Sequence, residues 1–338
     1  MSSKQLSVTL TRMRTVAKLH CLSLPTPFPV GPVNVYLAEG EQLTLIDTGP
    51  KDDETRTALE AGLAALGYRV EDIRRIVITH HHIDHIGLAA EIVRRSGADV
   101  ITHPRNVGWL EDNEAERARH SPFFQKIWDE SGVPEEIVGA MVKSGQRQHQ
   151  WTEPVKVTHT IDEGDRLDLA GVTWQVYHTP GHAGGLVCLW EAATRTLLAN
   201  DHLIRDISSN AMLEPPPTMN GPRPKRLVEY LYHMQRMADL NPALALPGHG
   251  GPVEDVPGLV RQRLTFHERR KQKILNALAE RPLTLWELTQ PIFPRLTRGV
   301  DLFLGLSEIL GHLDLLEVDG KVSPSPEGRL LRWARISQ

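Results

Sequence analysis

The chain has 338 residues, a formal charge of -4 at pH 7 and a pI near 6.5, a balance that exerts no global attraction on nucleic acid or an anionic membrane. Its composition, 40% hydrophobic and 24% charged, is typical of a soluble globular protein, and its length suffices for one large domain and a smaller one. No apolar run is long enough to span a bilayer, and the first residues lack the apolar core of a signal peptide.

The two cysteines, Cys21 and Cys188, lie far apart in the sequence and give no disulfide framework. We expect both to be buried, reduced thiols, with a single disulfide between them as the alternative. Without an export signal, the cytoplasm is the expected compartment.

The first part of the chain alternates short β-branched strands with helices. The pattern predicts strands at residues 33–40, 43–49, 76–79 and 98–103, and helices at 52–66 and 87–95. This alternation is typical of an α/β fold.

Residues 104–150 interrupt the alternation and predict a helical insertion or cap, because aromatic residues stand there among many charges. Strands return over 157–182 and 185–203. A proline-rich loop at 214–224 then precedes a helix at 225–237.

Residues 258–338 predict a separate winged-helix domain. A long helix covers about 258–280, and Thr284 and Glu287 have the spacing of a capping box that opens a second helix. A third helix is followed by a strand and a hairpin return, which gives three helices and a two-stranded wing.

The segment THHHIDH has four histidines and an aspartate within six positions, directly after the predicted strand at 76–79. Open α/β sheets collect ligands and catalytic groups at the carboxyl ends of their strands. Imidazole nitrogens and carboxylates bind borderline divalent cations, so the segment predicts a metal site.

Three further candidate ligands also follow predicted strands. His182 comes after YHTPG, Asp201 after TLLAN, and His249 after LALPG. Any one of them alone would be taken as structural. Their recurrence at strand ends favours a shared site at one edge of the fold.

The combined pattern resembles the metallo-β-lactamase superfamily of binuclear hydrolases over about residues 16–256. The motif residues are His80, His82, Asp84, His85, His182, Asp201 and His249. The resemblance implies an α/β fold, namely an αβ/βα four-layer sandwich of two mixed sheets with helices outside. It also implies a catalytic domain at 1–257, followed by the winged-helix domain.

The resemblance divides the ligands between two divalent ions. It implies one ion bound by His80, His82 and His182, a second bound by Asp84, His85 and His249, and Asp201 bridging both. Zinc suits this imidazole-rich set best, with manganese or iron as alternatives.

Three residues next to these ligands are expected to have different roles. Asp47, in the strand-end motif LIDTG, is expected to hydrogen-bond beside the cluster and to orient a ligand. His81 is expected to point away from the metals. His202, next to Asp201, is expected to be structural, or else to orient a ligand or touch substrate.

A water shared by two such ions has its pKa lowered from that of bulk water toward about 7, which makes hydroxide available at neutral pH. With Asp84 orienting it, this nucleophile is expected to attack the carbonyl of a small ester, thioester or lactone. No Gly-x-Ser-x-Gly motif offers a serine nucleophile instead.

The insertion and the proline-rich loop are the expected pocket walls. Phe28, Trp109, Phe123 and Met212 offer apolar surface for an acyl chain or ring, or else they pack the insertion onto the domain. A one-iron sulfur dioxygenase would use fewer ligands, and a regulator with a degenerate site would have lost some, so both are disfavoured.

The main alternative is a metal-dependent endoribonuclease or phosphodiesterase acting on RNA. A metallo-β-lactamase domain followed by a winged helix resembles a β-lactamase-like subgroup that includes an animal endoribonuclease, and RRKQK at 269–273 adds local positive charge. Residues 263–338, however, hold 12 Lys and Arg against 9 Asp and Glu, and the third helix is apolar and acidic. We therefore favour a small-molecule substrate and a winged helix that packs or dimerises.

Overall fold

The computed structural model describes residues 18–218, 221–296 and 299–336, except the side chains of residues 148 and 149. The first seventeen residues, on which the expectation about a signal peptide rests, and two residues of the predicted proline-rich loop lie outside the described residues.

The first sheet has six strands whose spatial order follows the chain. The strands are β1 (Leu19–Leu24), β2 (Val33–Ala38), β3 (Thr44–Ile46), β4 (Arg75–Ile78), β5 (Asp99–Thr102) and β6 (His159–Thr160). β1, β2 and β3 pair antiparallel, whereas β3 to β6 pair parallel. Parallel neighbours need crossover connections. The helix α1 (Asp53–Ala65) connects β3 to β4, and α2 (Ile83–Ile86) and α3 (Ala89–Ser96) connect β4 to β5, whereas the insertion connects β5 to β6.

Two helix starts near this sheet follow from local sequence. Asp52 caps α1, since its side chain accepts hydrogen bonds from the backbone N–H groups of Glu54 and Thr55. The helix predicted from residue 87 is preceded by the single turn α2, so Asp84 and His85 lie on a helical turn rather than in a loop.

The insertion between β5 and β6 is helical, as predicted. It contains α4 (Val107–Glu111), α5 (Asn113–Ser131) and α6 (Glu135–Arg147). These three helices are called the insertion helices below.

The second sheet is also mixed and has five strands. They are β7 (Arg166–Leu169), β8 (Val172–His178), β9 (Val187–Glu191), β10 (Thr196–Asn200) and β11 (Leu244–Pro247). Neighbours from β7 to β10 are antiparallel, and β10 pairs parallel with β11 after the crossover helix α7 (Arg226–Asp239). The mixed-sheet α/β class expected from the sequence is therefore confirmed.

The two sheets and their outer helices form four layers, and a cluster of buried side chains fills each of the three spaces between them. One cluster lies between the sheets and includes Ile46, Val77, Trp174 and Leu198. The other two lie on the outer faces, under α1 and α3 on one side and under α7 on the other. Strand alternation explains the sorting, because successive side chains point to opposite faces of a sheet.

The carboxy-terminal unit consists of α8 (Val256–Ala277), β12 (Leu283–Thr284), α9 (Leu285–Ile292), α10 (Gly299–Val318), β13 (Val322–Glu327) and β14 (Leu330–Arg335). Its small sheet has the order β12-β14-β13, one strand more than the sequence predicted. The predicted capping box is present, since Thr284 and Glu287 exchange side-chain hydrogen bonds with each other's backbone N–H groups at 3.2 and 2.8 Å.

A fourth buried cluster joins this unit to the insertion helices. Trp128 of α5 and Met141 of α6 share it with Ile274 of α8 and several leucines of α10. The first turns of α8, by contrast, pack under the second sheet through Val256 and Val260. The helix α8 therefore belongs to two cores, and the insertion and the carboxy-terminal unit form one layer over the sandwich.

The two cysteines are free and buried in different cores, and burial raises the pKa of each thiol to about 12. Both are therefore unreactive thiols, as expected. Across the described ranges, no helix has the length and hydropathy needed to cross a membrane.

Two buried histidines, His267 of α8 and His312 of α10, form a chain of hydrogen bonds that reaches the loop after β10. His312 Nδ1 donates to the Glu308 carbonyl at 2.7 Å, so its Nε2 accepts from His267 Nδ1 at 3.1 Å. His267 Nε2 in turn faces the Ser208 hydroxyl at 3.4 Å. Burial, followed by the charges of Arg263 and Arg270, lowers the pKa of His267 to about 4. Burial, followed by the charges of His267 and Arg270, lowers the pKa of His312 to about 3.

Because these pKa values lie below the unfolded value of about 6.5, the unfolded chain takes up protons first as the pH falls. We expect the unfolding free energy to drop between pH 7 and pH 5, by about 2 kcal/mol for each of the two histidines. The double variant His267→Gln/His312→Gln should lose that part of the dependence in urea titrations with EDTA present, whereas the exposed His159→Gln should keep it. An unchanged slope in the double variant would contradict the assignment.

Candidate metal centre

The candidate site lies where strands of both sheets end. His80 follows β4, His182 follows β8, Asp201 follows β10, and His249 follows β11. Backbone hydrogen bonds join the two sheets at this edge, from Asn34 N to Gly248 O at 2.7 Å and from Val187 N to Thr79 O at 3.0 Å. The edge is therefore a fixed seam between the sheets, which holds the loops that carry the site.

All seven predicted ligands converge at this seam. Ligand atoms of His80, His82 and His182 lie within 4.8 Å of one another, and so do those of Asp84, His85 and His249. Asp201 stands between the two groups. Its Oδ2 is 3.5 Å from Nε2 of each of His85, His182 and His249, and 4.0 Å from Nε2 of His80.

These separations match the spacing of atoms that share a cation. Two ligand atoms that are each about 2.1 Å from one tetrahedral zinc lie about 3.4 Å apart. Asp84 Oδ2 is 3.2 Å from His249 Nε2, which completes the second group. The geometry thus provides two adjoining donor sets with one carboxylate between them.

Several donor atoms at the centre have no hydrogen-bond partner among the residues that the structure describes. The unpartnered buried atoms include Nε2 of His80, His85, His182 and His249 and Oδ1 of Asp201. A buried polar atom without a partner costs about 1–3 kcal/mol, so such a group calls for an explanation. A pair of divalent cations would satisfy all of these atoms together, and the residues present therefore fit metal ions.

The opposite ring nitrogens explain why Nε2 faces the centre. Nδ1 of His85 donates to Asp47 at 2.8 Å, and Nδ1 of His249 donates to the Pro32 carbonyl at 2.8 Å. Nδ1 of His182 donates to the Asn210 carbonyl at 2.8 Å, and Nδ1 of His80 lies 3.1 Å from the Thr79 hydroxyl. With the proton held on Nδ1, the Nε2 lone pair is free to bind a cation.

Asp47 lies beside the cluster, where its carboxylate is hydrogen-bonded to His85. Besides His85, it accepts hydrogen bonds from Thr79 N and Thr79 Oγ1, both at 2.8 Å. Its φ is +61°, a left-handed conformation that a residue other than glycine adopts only at a cost. The conformation turns the carboxylate from the end of β3 toward the segment that follows β4.

The charges are distributed unevenly across the two groups. Burial, and then repulsion from the neighbouring imidazoles, lowers the pKa of His80 and His82 well below the ordinary value. Burial also disfavours protonation of His85, but Asp201, Asp84 and Asp47 outweigh it and raise the pKa of that imidazole. Burial raises the pKa of Asp201, but the neighbouring His249 and His85 lower it by a larger amount. The net shift is downward, so the carboxylate is ionised. A buried anion among imidazoles is a suitable environment for a cation.

Gly248, directly before His249, leaves room for the Asp201 carboxylate at the centre of the cluster. A Cβ on Gly248 would lie 2.1 Å from Asp201 Oδ1 and 3.0 Å from the His85 ring. The Pro-Gly-His motif before His249 therefore has a steric reason, since only glycine allows the carboxylate to sit at the centre.

The remaining histidines of the two motifs face elsewhere. The His81 ring stacks on Trp109 with centroids 4.8 Å apart, and its Nε2 lies 3.9 Å from Glu214. His202 is fully buried beside Tyr230, and burial followed by the charge of His233 lowers the pKa of His202 to about 3.

A second His/Asp group, formed by His103, Asp162 and His178, is unsuited to a metal. The rings of His103 and His178 stack nearly parallel with centroids 4.0 Å apart. A cation lies in the plane of each imidazole that binds it, and stacked parallel rings share no such point. In addition, His103 Nδ1 accepts from Arg105 N, which leaves the proton on the Nε2 that faces Asp162.

One supporting segment could not be foreseen from the sequence. Residues 204–214 contact the ligand His182 through Ser209 and Asn210, and they are held from behind by the carboxy-terminal unit. Arg263 donates to the carbonyls of residues 204 and 205, Asn210 donates to the Leu304 carbonyl at 3.0 Å, and Ser307 accepts from Leu213 N at 3.2 Å. The last two contacts join residues 94 positions apart, and no local pattern marks them.

Comparisons with known proteins agree with this geometry. The profile of the metallo-beta-lactamase superfamily matches residues 28–249. The chain is 36% identical over 325 residues to the "Probable metallo-hydrolase YqjP" of Bacillus subtilis (strain 168), covering 96% of this chain and 100% of that protein. It is 22% identical over 320 residues to the atrochrysone carboxyl ACP thioesterase of Passalora fulva, covering 91% and 78%. The crystal structure of metallo-beta-lactamase family protein TTHA1429 from Thermus thermophilus aligns with a TM-score of 0.80 and 30% identity over 94% of this chain and 99% of that chain.

The steric role of Gly248 can be tested by Gly248→Ala. The added methyl group displaces the Asp201 carboxylate, so the variant is expected to purify with less than half of the wild-type divalent metal, as measured by plasma emission spectrometry. Gly139→Ala, where a Cβ meets nothing within 4 Å, should keep the wild-type content. A fully loaded Gly248→Ala protein would show that the cluster tolerates the methyl group.

Proposed function

The chain belongs to the metallo-β-lactamase superfamily of hydrolases, and we propose that it uses two divalent metal ions to hydrolyse a small ester, thioester or lactone. The convergence of unpartnered donor atoms around Asp201 is the observation that supports this most directly.

Two ions are proposed because the donors form two sets. His80, His82 and His182 supply three nitrogens to one position, and Asp84, His85 and His249 supply a carboxylate and two nitrogens to the other. Asp201 is central to both and would bridge them. Zinc is the proposed metal because imidazole predominates, and manganese and iron are the alternatives.

The metals would supply an acidified water and an electrophile for the substrate carbonyl. The protein's own residues do the rest of the positioning. Asp84 has a slightly exposed side chain, in contrast to the buried His85, so it faces the open side of the site and would orient the attacking water and hold its proton. Asp47 and Thr79 keep the His85 and His80 rings fixed during the reaction.

The acyl substrate class rests on the surroundings and on one relative. Trp109 stacks on His81, whose chain neighbour His82 is a predicted ligand, and Phe28 packs edge-on against Trp151. The relative from Passalora fulva is described as an ACP thioesterase, which is acyl-transfer chemistry at a carbonyl. A cytoplasmic setting fits the two free thiols.

We further propose that the carboxy-terminal unit is a winged-helix-like module used for packing. The basic stretch at 269–273 is partly neutralised, because Arg270 pairs with Glu308 at 3.2 Å and Lys271 pairs with Asp319 at 2.6 Å. Eleven residues of α10 are buried against the rest of the fold, so this helix offers little free surface to a nucleic-acid groove.

The metal assignment predicts close to two ions per chain by plasma emission spectrometry. His82→Ala and Asp84→Ala should each lower activity at least about a thousandfold, because either change removes a donor at the reacting centre. His103→Ala, in the stacked pair that is unsuited to a metal, is the matched control and should retain metal and activity. A metal-free preparation with full activity would refute the proposal.

The substrate class is tested with metal-loaded protein against thioesters, aryl esters, lactones, bis(p-nitrophenyl) phosphate and single-stranded RNA. Turnover confined to the acyl compounds, lost on chelation and restored by zinc or manganese, is the expected result. Preferential cleavage of the phosphodiester or RNA would instead establish the nuclease alternative.

A further inference from the structure

We propose that a cavity of about 520 Å³ between the insertion helices and the carboxy-terminal unit binds the acyl chain of the substrate. This inference rests on the proposed function and adds a chain-length preference to it. The volume lies within the range of about 300–1,000 Å³ that is usual for small-molecule sites.

Three separate segments build the walls of the cavity. The helix α5 contributes Phe123 and Ile127, and the proline-rich loop contributes Pro215 to Pro217. The carboxy-terminal unit closes the far side with Leu285, Leu310, Leu331 and Trp333. Arg119, His120, Lys126, Glu130, Ser131 and Arg223 also line the cavity, so its wall combines an apolar surface with polar side chains. Its apolar part favours hydrocarbon over water.

Two series of contacts connect the cavity to the surroundings of the metal centre. Pro215 lines the cavity and directly follows Glu214, whose carboxylate faces His81 at 3.9 Å and accepts from Gly184 N at 2.9 Å, two residues after the ligand His182. A second connection runs through aromatic rings. His120 lines the cavity, its ring lies 5.5 Å from the Trp109 ring, and Trp109 stacks on His81. The proposal places the substrate carbonyl at the centre and the far end of its chain in this cavity.

The charges at the rim favour a neutral occupant. Each cation that lines the cavity has a carboxylate partner: Arg119 pairs with Glu116 at 2.5 Å, Lys126 with Glu130 at 3.7 Å, and Arg223 with Asp314 at 2.5 Å. A phosphate would have to compete with these pairs, whereas a hydrocarbon chain leaves them intact. The occupant we assign is therefore an acyl chain and not a phosphorylated group.

The first test is a series of p-nitrophenyl esters from acetate to decanoate with the metal-loaded protein. Each methylene transferred from water into the cavity is expected to raise kcat/KM up to about fourfold, so decanoate should exceed butyrate by at least about tenfold. Ile127→Trp fills the cavity and should remove this preference while leaving acetate hydrolysis unchanged. Val142→Trp, on the exposed face of α6, is the matched control and should behave as wild type.

A second variant and a binding measurement distinguish a failure of the cavity assignment from an unstable variant and from a failure of the proposed function. Phe123→Ala enlarges the cavity and should move the optimum to longer chains, which a merely unstable variant would not do. Displacement of a fluorescent fatty acid by decanoate should be seen in wild type and lost in Ile127→Trp. Fatty-acid binding without hydrolysis of any ester would support the cavity and refute the proposed function. Ester hydrolysis with no chain-length preference, or fatty-acid binding unaffected by Ile127→Trp, would overturn the cavity assignment.

Discussion

The carboxylate of Asp201, buried among four imidazoles, is the interaction on which the rest of the structure depends. An ionised carboxylate without water is expensive, and the Nε2 atoms around it have no partner of their own within the described protein. Four such nitrogens, at about 1–3 kcal/mol each, would remove a large part of the unfolding free energy that a protein of ordinary stability has. Cations at this position would relieve the carboxylate and the imidazoles together. Metal binding would then contribute to the stability of the fold.

The scaffold makes this concentration of donors possible because the two sheets meet at the site. The backbone bonds from Asn34 to Gly248 and from Val187 to Thr79 close the seam, and each ligand leaves a strand end next to it. Nδ1 of four histidines at the centre is held by a neighbouring group, in one case a carboxylate, in two a carbonyl and in one a hydroxyl. Ring orientation is thus settled by the fold before any ion arrives, which lowers the entropic cost of binding.

The sequence predicted the parts of this arrangement that local chemistry specifies. Strand periodicity, the crowded histidines and the repeated Pro-Gly-His were sufficient to predict an α/β fold and to select seven residues that the structure brings together. The two mixed sheets were expected from the family resemblance. What the sequence did not reveal was the shared core of Trp128, Met141 and the α10 leucines. Amphipathic helices indicate that a face is buried but not which partner covers it. A boundary at residue 258 therefore divides a helix, α8, that packs in two cores.

The same shared core connects the carboxy-terminal unit to residues 204–214, the segment that contacts His182. The helix α10 is apolar around most of its circumference, and a helix of that kind is stable only when neighbours surround it. Here the neighbours include the insertion helices and residues 204–214, which hold His182 through Asn210. A displacement of α10 would therefore move the wall of the cavity and the support of a ligand together. The carboxy-terminal unit is therefore packed against the insertion helices through the shared core, and against residues 204–214 through the buried histidine pair and the contacts of α10.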